Sequence, residues 1–460
     1  MKLRNILAEP VDNSPLVLFR IFFGLLMFFE SFGAIITGWV NETFVEVNFT
    51  FNFIGLDFLQ AMVGPQMYGL YFVMGISGLF IALGFYYRIA IITFTTLWSV
   101  TYFAQKTHYN NHYYLVMLIG ALMCFMPANG YASQDVKFGF RRQEITCPRW
   151  VYLVMILQVA IVYFYASIAK IYPDWLAGKP IEIWFTYKSF QTPFWSNEFA
   201  ATLSEFFTQP STHLFFAYGG ILFDLLIVPM FLFNKWTRWI AVIASLLFHL
   251  TNSAIFQIGV FPYFALAFAV FFFKPETIRR RFFPKKPMSN KAVTSSQSLP
   301  KWVLPVFGFY FLIQIALPVR HHFMNGNVLW DETGHRLSWR MMLRTKSANT
   351  NVSVVNTETG VRERVNLYQY VKPHQLGDLL TKPDIQWQFA KKLKESYAKD
   401  SIDIEVYINS QLSVNGRERV QFTDPTIDVS EQPWNFWGPQ TWVLPTNLED
   451  TKKPTPKSRP

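Results

Sequence analysis

The stretch 150–172, WVYLVMILQVAIVYFYASIAKIY, decides the class of the fold. It carries no formal charge until Lys170, and roughly 18 consecutive apolar residues suffice to cross a bilayer. Comparable runs lie at 15–38, 66–87, 88–105, 113–129, 212–234, 236–256, 258–274 and 300–319, so the sequence predicts about nine spans. Composition agrees: 51% of the 460 residues are hydrophobic and only 15% charged, against about 25% charged in soluble domains. A cytosolic enzyme, a disordered chain and a disulfide scaffold are thereby excluded. The 2 Cys supply no cysteine metal framework. No short apolar stretch with a small-residue cleavage site opens the chain, so no removable signal peptide is expected.

Orientation follows from lysine and arginine, which accumulate in cytoplasmic loops. With a cytoplasmic N-terminus, the tail and even-numbered loops hold 17 basic residues, counting those at span edges. They include Arg141, Arg142, Arg149 and the run Lys274, Arg279, Arg280, Arg281, Lys285 and Lys286. The odd-numbered loops hold 3, Lys106, Lys179 and Lys188. The net charge of +11 is therefore a topology signal, and no nucleic-acid partner is expected. An odd span count sends everything after residue 320 to the extracytoplasmic side.

Residues 1–325 read as the membrane domain, with 14 acidic residues. Within it, 173–211 is too polar to span, yet holds Trp175, Trp184, Phe185, Phe190, Phe194 and Trp195; interfacial helices or a re-entrant lid are expected there. Residues 276–299 form a basic, then Ser-rich, cytoplasmic linker. From 326 to 445 the composition turns ordinary. Strand-like segments 352–356 and 362–368 flank a Thr-Glu-Thr-Gly turn, and 403–409 and 417–422 flank Asn415-Gly416. Between them, 384–399 has helical spacing, with Ile385, Phe389, Leu393 and Tyr397 on one stripe. Residues 446–460 read as a disordered tail. The expected fold is a polytopic α-helical membrane protein, followed by a small, mostly β extracytoplasmic domain.

Ionisable groups inside spans are costly and point to function. Lys170 lies at the outer end of the fifth span, His112 at the outer start of the fourth, and His249 with Asn252 near the outer end of the seventh. Tyr163, Ser167 and Lys170 share one helix face at i, i+4 and i+7. Nitrogen bases thus reach one depth from several helices. Taken singly, each has a plainer reading: Lys170 could snorkel to the headgroups, His112 cap a helix, and His249 bond between helices. Glu30, Asp224 and Arg20 read as structural, with Arg20 neutralising one acid. His321-His322 lacks the accompanying ligands of a metal site, so no metal is expected. A lysine in an apolar pocket sheds its proton more readily and can serve as a general base. The convergence points to base chemistry on a lipid-soluble substrate.

Several stretches resemble the vitamin K-dependent γ-glutamyl carboxylase family: 105–115 (QKTHYNNHYYL), 161–176 (IVYFYASIAKIYPDWL), 219–233 and 248–263, in family order. In the extracytoplasmic part, 338–342 (SWRMM) and 424–428 (DPTID) are similar too. The resemblance implies that Lys170 is the base that deprotonates reduced vitamin K, a naphthohydroquinone. Oxygenation by O2 to the epoxide then drives removal of a γ-proton from a protein glutamate, and the carbanion captures CO2. His112 would assist, with Asn111 beside it, while Tyr163, Ser167, His249 and Asn252 would line the quinone pocket. Trp339 and Arg340 would fall where the family binds the glutamate-containing protein or peptide. The implied partners are membrane lipid, the quinone and that peptide; the cofactor is the reduced quinone, with O2 and CO2 as co-substrates.

The chain also departs from the family pattern. It stops short of the long animal enzymes, and Cys124 and Cys147 cannot form the family's extracytoplasmic disulfide. Arg340 stands where an acidic residue is usual. The resemblance therefore implies a short bacterial relative, in a plasma membrane rather than the endoplasmic reticulum, although sequons at Asn41, Asn48 and Asn351 permit glycosylation. Two alternatives stay open: a quinol epoxidase that carboxylates nothing, and a non-enzymatic quinone- or lipid-binding membrane protein.

Overall fold

In the computed structural model of the chain, residues 2–186, 188, 196–256, 259–288, 299–446 and 448 are described. The chain runs α1 (Lys2–Ala8), β1 (Pro10–Asp12), α2 (Ser14–Ile36), α3 (Gln66–Leu83), α4 (Tyr87–Ala104), α5 (Asn111–Met123), α6 (Gln134–Lys137), β2 (Thr146–Pro148) and α7 (Trp150–Ala169). It continues through α8 (Pro173–Leu176), α9 (Lys179–Thr186), α10 (Asn197–Thr208), α11 (Pro210–Phe233), α12 (Lys235–Phe256), α13 (Phe261–Ala267), α14 (Pro275–Phe282) and α15 (Val303–Val319). The last part holds β3 (Lys346–Asn356), β4 (Arg362–Arg364), α16 (Pro373–Thr381), α17 (Pro383–Ala398), β5 (Ile404–Val414) and β6 (Val420–Gln421). Two compact units result: residues 1–164 with 223–315, and residues 165–222 with 316–460.

Six described helices are long and apolar enough to cross a membrane: α2, α3, α7, α11, α12 and the stretch Val303–His322 begun by α15. A seventh counts if Phe261–Phe272 and α14, bent by 115° at their junction, form one broken span. The other expected spans come out differently. Helix α4 takes in most of 88–105 with its 18 residues, Tyr87–Ala104, but is less apolar than these six. Helix α5 has 13 residues, because Asn110 caps it by accepting from Tyr113 N at 2.7 Å, and it ends short of Pro127. The expected span 258–274 changes from α-helix to 3₁₀-helix at Phe268.

In the first unit, α2 and α3 approach backbone to backbone. A Cβ on Gly24 would stand 2.3 Å from Ala82 N, and one on Gly78 only 2.6 Å from Phe28 N. Small residues permit this where apolar lipid offers no hydrophobic drive to pack helices. Arg20 of α2 is fully buried and donates to the carbonyls of Ala128 (3.0 Å), Tyr131 (3.3 Å), Ala82 (3.2 Å) and Ala132 (2.6 Å). It ties loop to helix; among the described residues it forms no ion pair with Glu30 or Asp224, contrary to the sequence expectation. Two members of the basic run are likewise structural. Lys286 Nζ reaches Asp12 Oδ1 at 2.5 Å, Asn13 Oδ1 at 2.7 Å and Ser14 Oγ at 2.8 Å, and Arg279 Nε lies 3.5 Å from Asp12 Oδ2. Behind them β1 pairs antiparallel with β2.

The second unit is built on a four-stranded antiparallel sheet of order β4-β3-β5-β6. Strand β5 alternates as a one-sided strand should, burying Ile404, Val406, Ile408 and Leu412. Helix α17 contributes its stripe, with Ile385, Phe389 and Leu393 buried. Asn415 (φ 53°) and Gly416 (φ 75°) both turn left-handed, as the Asn-Gly pair foretold. The expected label "mostly β" needs correction. Helix α16, with Pro373 in its first turn and Gln375 reaching back to Lys372 N, joins α17, so helix and strand share this region about equally. The expected interfacial segment is helical in α8, α9 and α10. Phe190, Phe194 and Trp195, the stretch 289–298 of the linker, and all of the tail after 446 except Leu448 lie outside the described residues.

Candidate active site

Three of the expected residues meet in the first unit around aromatic rings. Tyr163 on α7 and His249 on α12 share a hydrogen bond, Oη to Nε2, of 2.9 Å. His249 is buried, and its Nδ1 has no partner among the described residues. The His112 ring stacks on Phe261 with centroids 3.6 Å apart and planes 16° apart, while His249 stands edge-on to the same Phe261 at 5.8 Å. Phe223 and Phe248, stacked on one another at 3.9 Å, complete the apolar wall beside His249. Asn111 is buried and accepts from Tyr109 Oη at 3.0 Å. Asn252, half-buried on α12, makes no hydrogen bond to the others among the described residues.

The arrangement suits a flat apolar ring that carries oxygen. Phenylalanine faces offer stacking, and a buried imidazole nitrogen left unbonded costs about 1–3 kcal/mol unless a ligand satisfies it. Glu30 bonds the residue that follows His112. It accepts from Tyr113 Oη at 2.5 Å and lines a cavity of about 30 Å³ with Tyr71, Thr101, Gln105 and His108, room for about two waters.

The remaining expected residues belong to the second unit. Ser167 is buried and donates to Ile221 O at 3.2 Å. Lys170 follows the last residue of α7, is 8% exposed, donates to Ala166 O at 3.1 Å and lies 5.6 Å from the centre of the Trp175 ring. Trp175 is fixed in turn, its Nε1 donating to Ala217 O at 3.1 Å. Trp339 is buried, with a left-handed backbone (φ 57°). Arg340 points its guanidinium at His321 Nε2, 3.5 Å away, while His321 Nδ1 donates to Pro318 O at 2.9 Å. Burial and the nearby Arg344 lower Arg340 to about 10.

Beside Arg340 sits a carboxylate that sequence reasoning missed. Glu332 is paired with both Arg344 and Lys346. Burial alone would push its pKa up; the two cations outweigh burial and hold it well below the usual carboxylate range. Trp175 and Phe261 were also missed as site residues, though both lie within the stretches quoted above.

Residues 8–276 match the HTTM domain family, and residues 299–449 match the vitamin K-dependent gamma-carboxylase lumenal domain. The chain belongs to the vitamin K-dependent gamma-carboxylase family. No solved structure matches it. Within this carboxylase-like membrane protein, the HTTM match takes in Asn111, His112, Tyr163, Ser167, Lys170, His249 and Asn252. The lumenal-domain match takes in Glu332, Trp339, Arg340 and the whole sheet.

Proposed function

We propose that the chain is a carboxylase-epoxidase: it couples oxygenation of a reduced naphthoquinone to its epoxide with carboxylation of a protein glutamate. The observation that carries this reading is the His112–Phe261 stack beside the Tyr163–His249 bond, with His249 Nδ1 left over in an aromatic wall. A reduced naphthoquinone, when bound, supplies with O2 the strong base that glutamate γ-proton removal requires. The chain supplies the rest. Lys170 would serve as the base for a quinol hydroxyl and His249 Nδ1 as a hydrogen-bond partner for a ring oxygen, while Tyr163 fixes the His249 ring and His112 with Phe261 would offer a stacking face. Asn111, Ser167 and Asn252 complete the proposed lining, and Trp339 and Arg340 meet the glutamate peptide.

In this reading residues 1–325 are the membrane domain, crossing about nine times from a cytoplasmic N-terminus. Residues 326–445 face the extracytoplasmic side of a bacterial plasma membrane. Purified protein given vitamin K hydroquinone, O2, labelled CO2 and a Glu peptide is expected to form epoxide and to label the peptide. A second reading, epoxidation without carboxylation, draws support from one observation. Arg344 and Lys346, the cations beside Arg340, are already neutralised by Glu332. Epoxide without label selects that reading; neither product rejects both.

A further inference from the structure

Asp174 belongs to the Lys-x-x-x-Asp-Trp stretch, yet no step above uses it. It is buried, and both of its carboxylate oxygens are engaged by the turn that follows β5. Oδ1 accepts from Arg417 Nη2 at 2.6 Å, while Oδ2 accepts from Arg417 Nε at 3.3 Å and from Asn415 Nδ2 at 3.0 Å. The turn itself is held rigid. Asn415 Oδ1 accepts from Thr345 N and Asn415 N donates to Thr345 O, each at 3.0 Å, and Arg417 also donates to Leu448 O. A second tie lies two residues earlier, where Tyr172 Oη donates to Leu343 O and accepts from Asn415 Nδ2 at 3.3 Å.

These ties act on the segment that carries the lysine. Lys170 has left α7, which ends at Ala169, so the α-helix no longer fixes its backbone. Tight turns follow: Lys170 N to Ser167 O, Ile171 N to Ile168 O and Tyr172 N to Lys170 O, each 3.0 Å. The ring over which the amine lies belongs to the residue directly after Asp174. A bidentate carboxylate–guanidinium pair fixes direction as well as distance. The sheet therefore grips the chain one residue from the ring that faces the lysine amine.

We propose that Asp174 is a positioning residue. Through Arg417 and Asn415 it anchors segment 170–175 to the sheet and so keeps Trp175 under the Lys170 amine. The idea rests on the reading of Lys170 as the base, and one arm of its test does not depend on that reading. An ion pair that served stability alone would alter how much protein folds, not how Lys170 behaves in the folded molecule.

The test uses the full chain in lipid nanodiscs, comparing wild type with Asp174→Asn and Asn415→Ala. The first readout is acylation of individual lysines by a water-soluble succinimidyl ester, followed by peptide mass spectrometry. In Asp174→Asn, Lys170 is expected to react about fivefold faster, while the buried Lys106 and Lys286 keep their rates. The second readout is epoxide formation, where kcat is expected to fall about tenfold with KM for the hydroquinone nearly unchanged. Should Asp174→Asn fail to fold, Asn415→Ala, which removes one of the three bonds to the carboxylate, is expected to show the same pattern at smaller amplitude. Wild-type labelling of Lys170 in the folded variant overturns the proposal whatever the activity, and so does an equal rise at all three lysines. Full activity of Lys170→Ala, measured alongside, would reject the base assignment and leave the labelling result to decide the positioning.

Discussion

His249 holds one nitrogen in a 2.9 Å bond to Tyr163, and its other nitrogen, without a partner among the described residues, is the one proposed to meet the quinone. Replacing Tyr163 by Phe removes the restraint on the ring and leaves a second buried nitrogen unsatisfied. The expected result is a rise of about threefold to tenfold in KM for the hydroquinone, the equivalent of one hydrogen bond, measured by steady-state epoxide formation. Glu332 is a different kind of residue. It neutralises two buried cations, so Glu332→Gln is expected to cost about 3–5 kcal/mol in thermal or denaturant unfolding, the usual penalty for breaking a buried pair. Because its folded pKa is depressed, the stability it contributes is complete above about pH 4.3 and is lost as pH falls through its lower folded value. Stability measured on the acid side should therefore fall less steeply in Glu332→Gln than in wild type. Lys170, His112 and His249 could be singled out in the sequence as candidates because ionisable groups are costly in apolar spans, and Tyr163 because it shares a helix face with Lys170. Phe261 and Trp175 were not: among 48 Phe and 15 Trp, no single ring stands out before its neighbours are known. Glu332 was hidden for another reason, since a carboxylate in an ordinary polar stretch signals nothing until its partners Arg344 and Lys346 close on it.

Helix contacts explain a second set of outcomes. Gly78 leaves no room for a side chain against the backbone of α2, so Gly78→Val is expected to destabilise by about 1–3 kcal/mol. Gly33, on the same α2 but at a place where an added methyl would meet nothing within 4 Å, is the control, and Gly33→Ala should melt like wild type in detergent. Most apolar helices could be read from their runs of residues, and so could the stripe on α17 and the Asn415-Gly416 turn. Short helices could not. The ends of α5 depend on the Asn110 side chain and on where Pro127 falls, which hydropathy does not register. Helix α16 owes its start to Pro373 and Gln375, a capping pattern too brief to outweigh the strand signals around it.

At the scale of the whole molecule, the account stands on a cytoplasmic N-terminus and an extracytoplasmic sheet. Tyr368 is exposed in the region of the sheet, and Arg281 is exposed on α14. In intact cells an impermeant maleimide is expected to modify Tyr368→Cys, and to reach Arg281→Cys only after lysis. The opposite pattern would invert the topology and put the proposed base on the wrong side of the membrane. The 17-to-3 distribution of basic residues presupposes an odd number of crossings; among the described residues six helices meet the full length and apolarity of a span, and seven if the bent pair is one, so the orientation rests on the labelling result.

The most direct test of the central claim is epoxide formation from vitamin K hydroquinone by purified wild type and Lys170→Ala, assayed in parallel with folding checked by thermal unfolding. The account predicts epoxide from the wild type and a loss of at least about a hundredfold in the variant, within the usual range for removing a general base. Equal epoxide formation by a well-folded Lys170→Ala would contradict it.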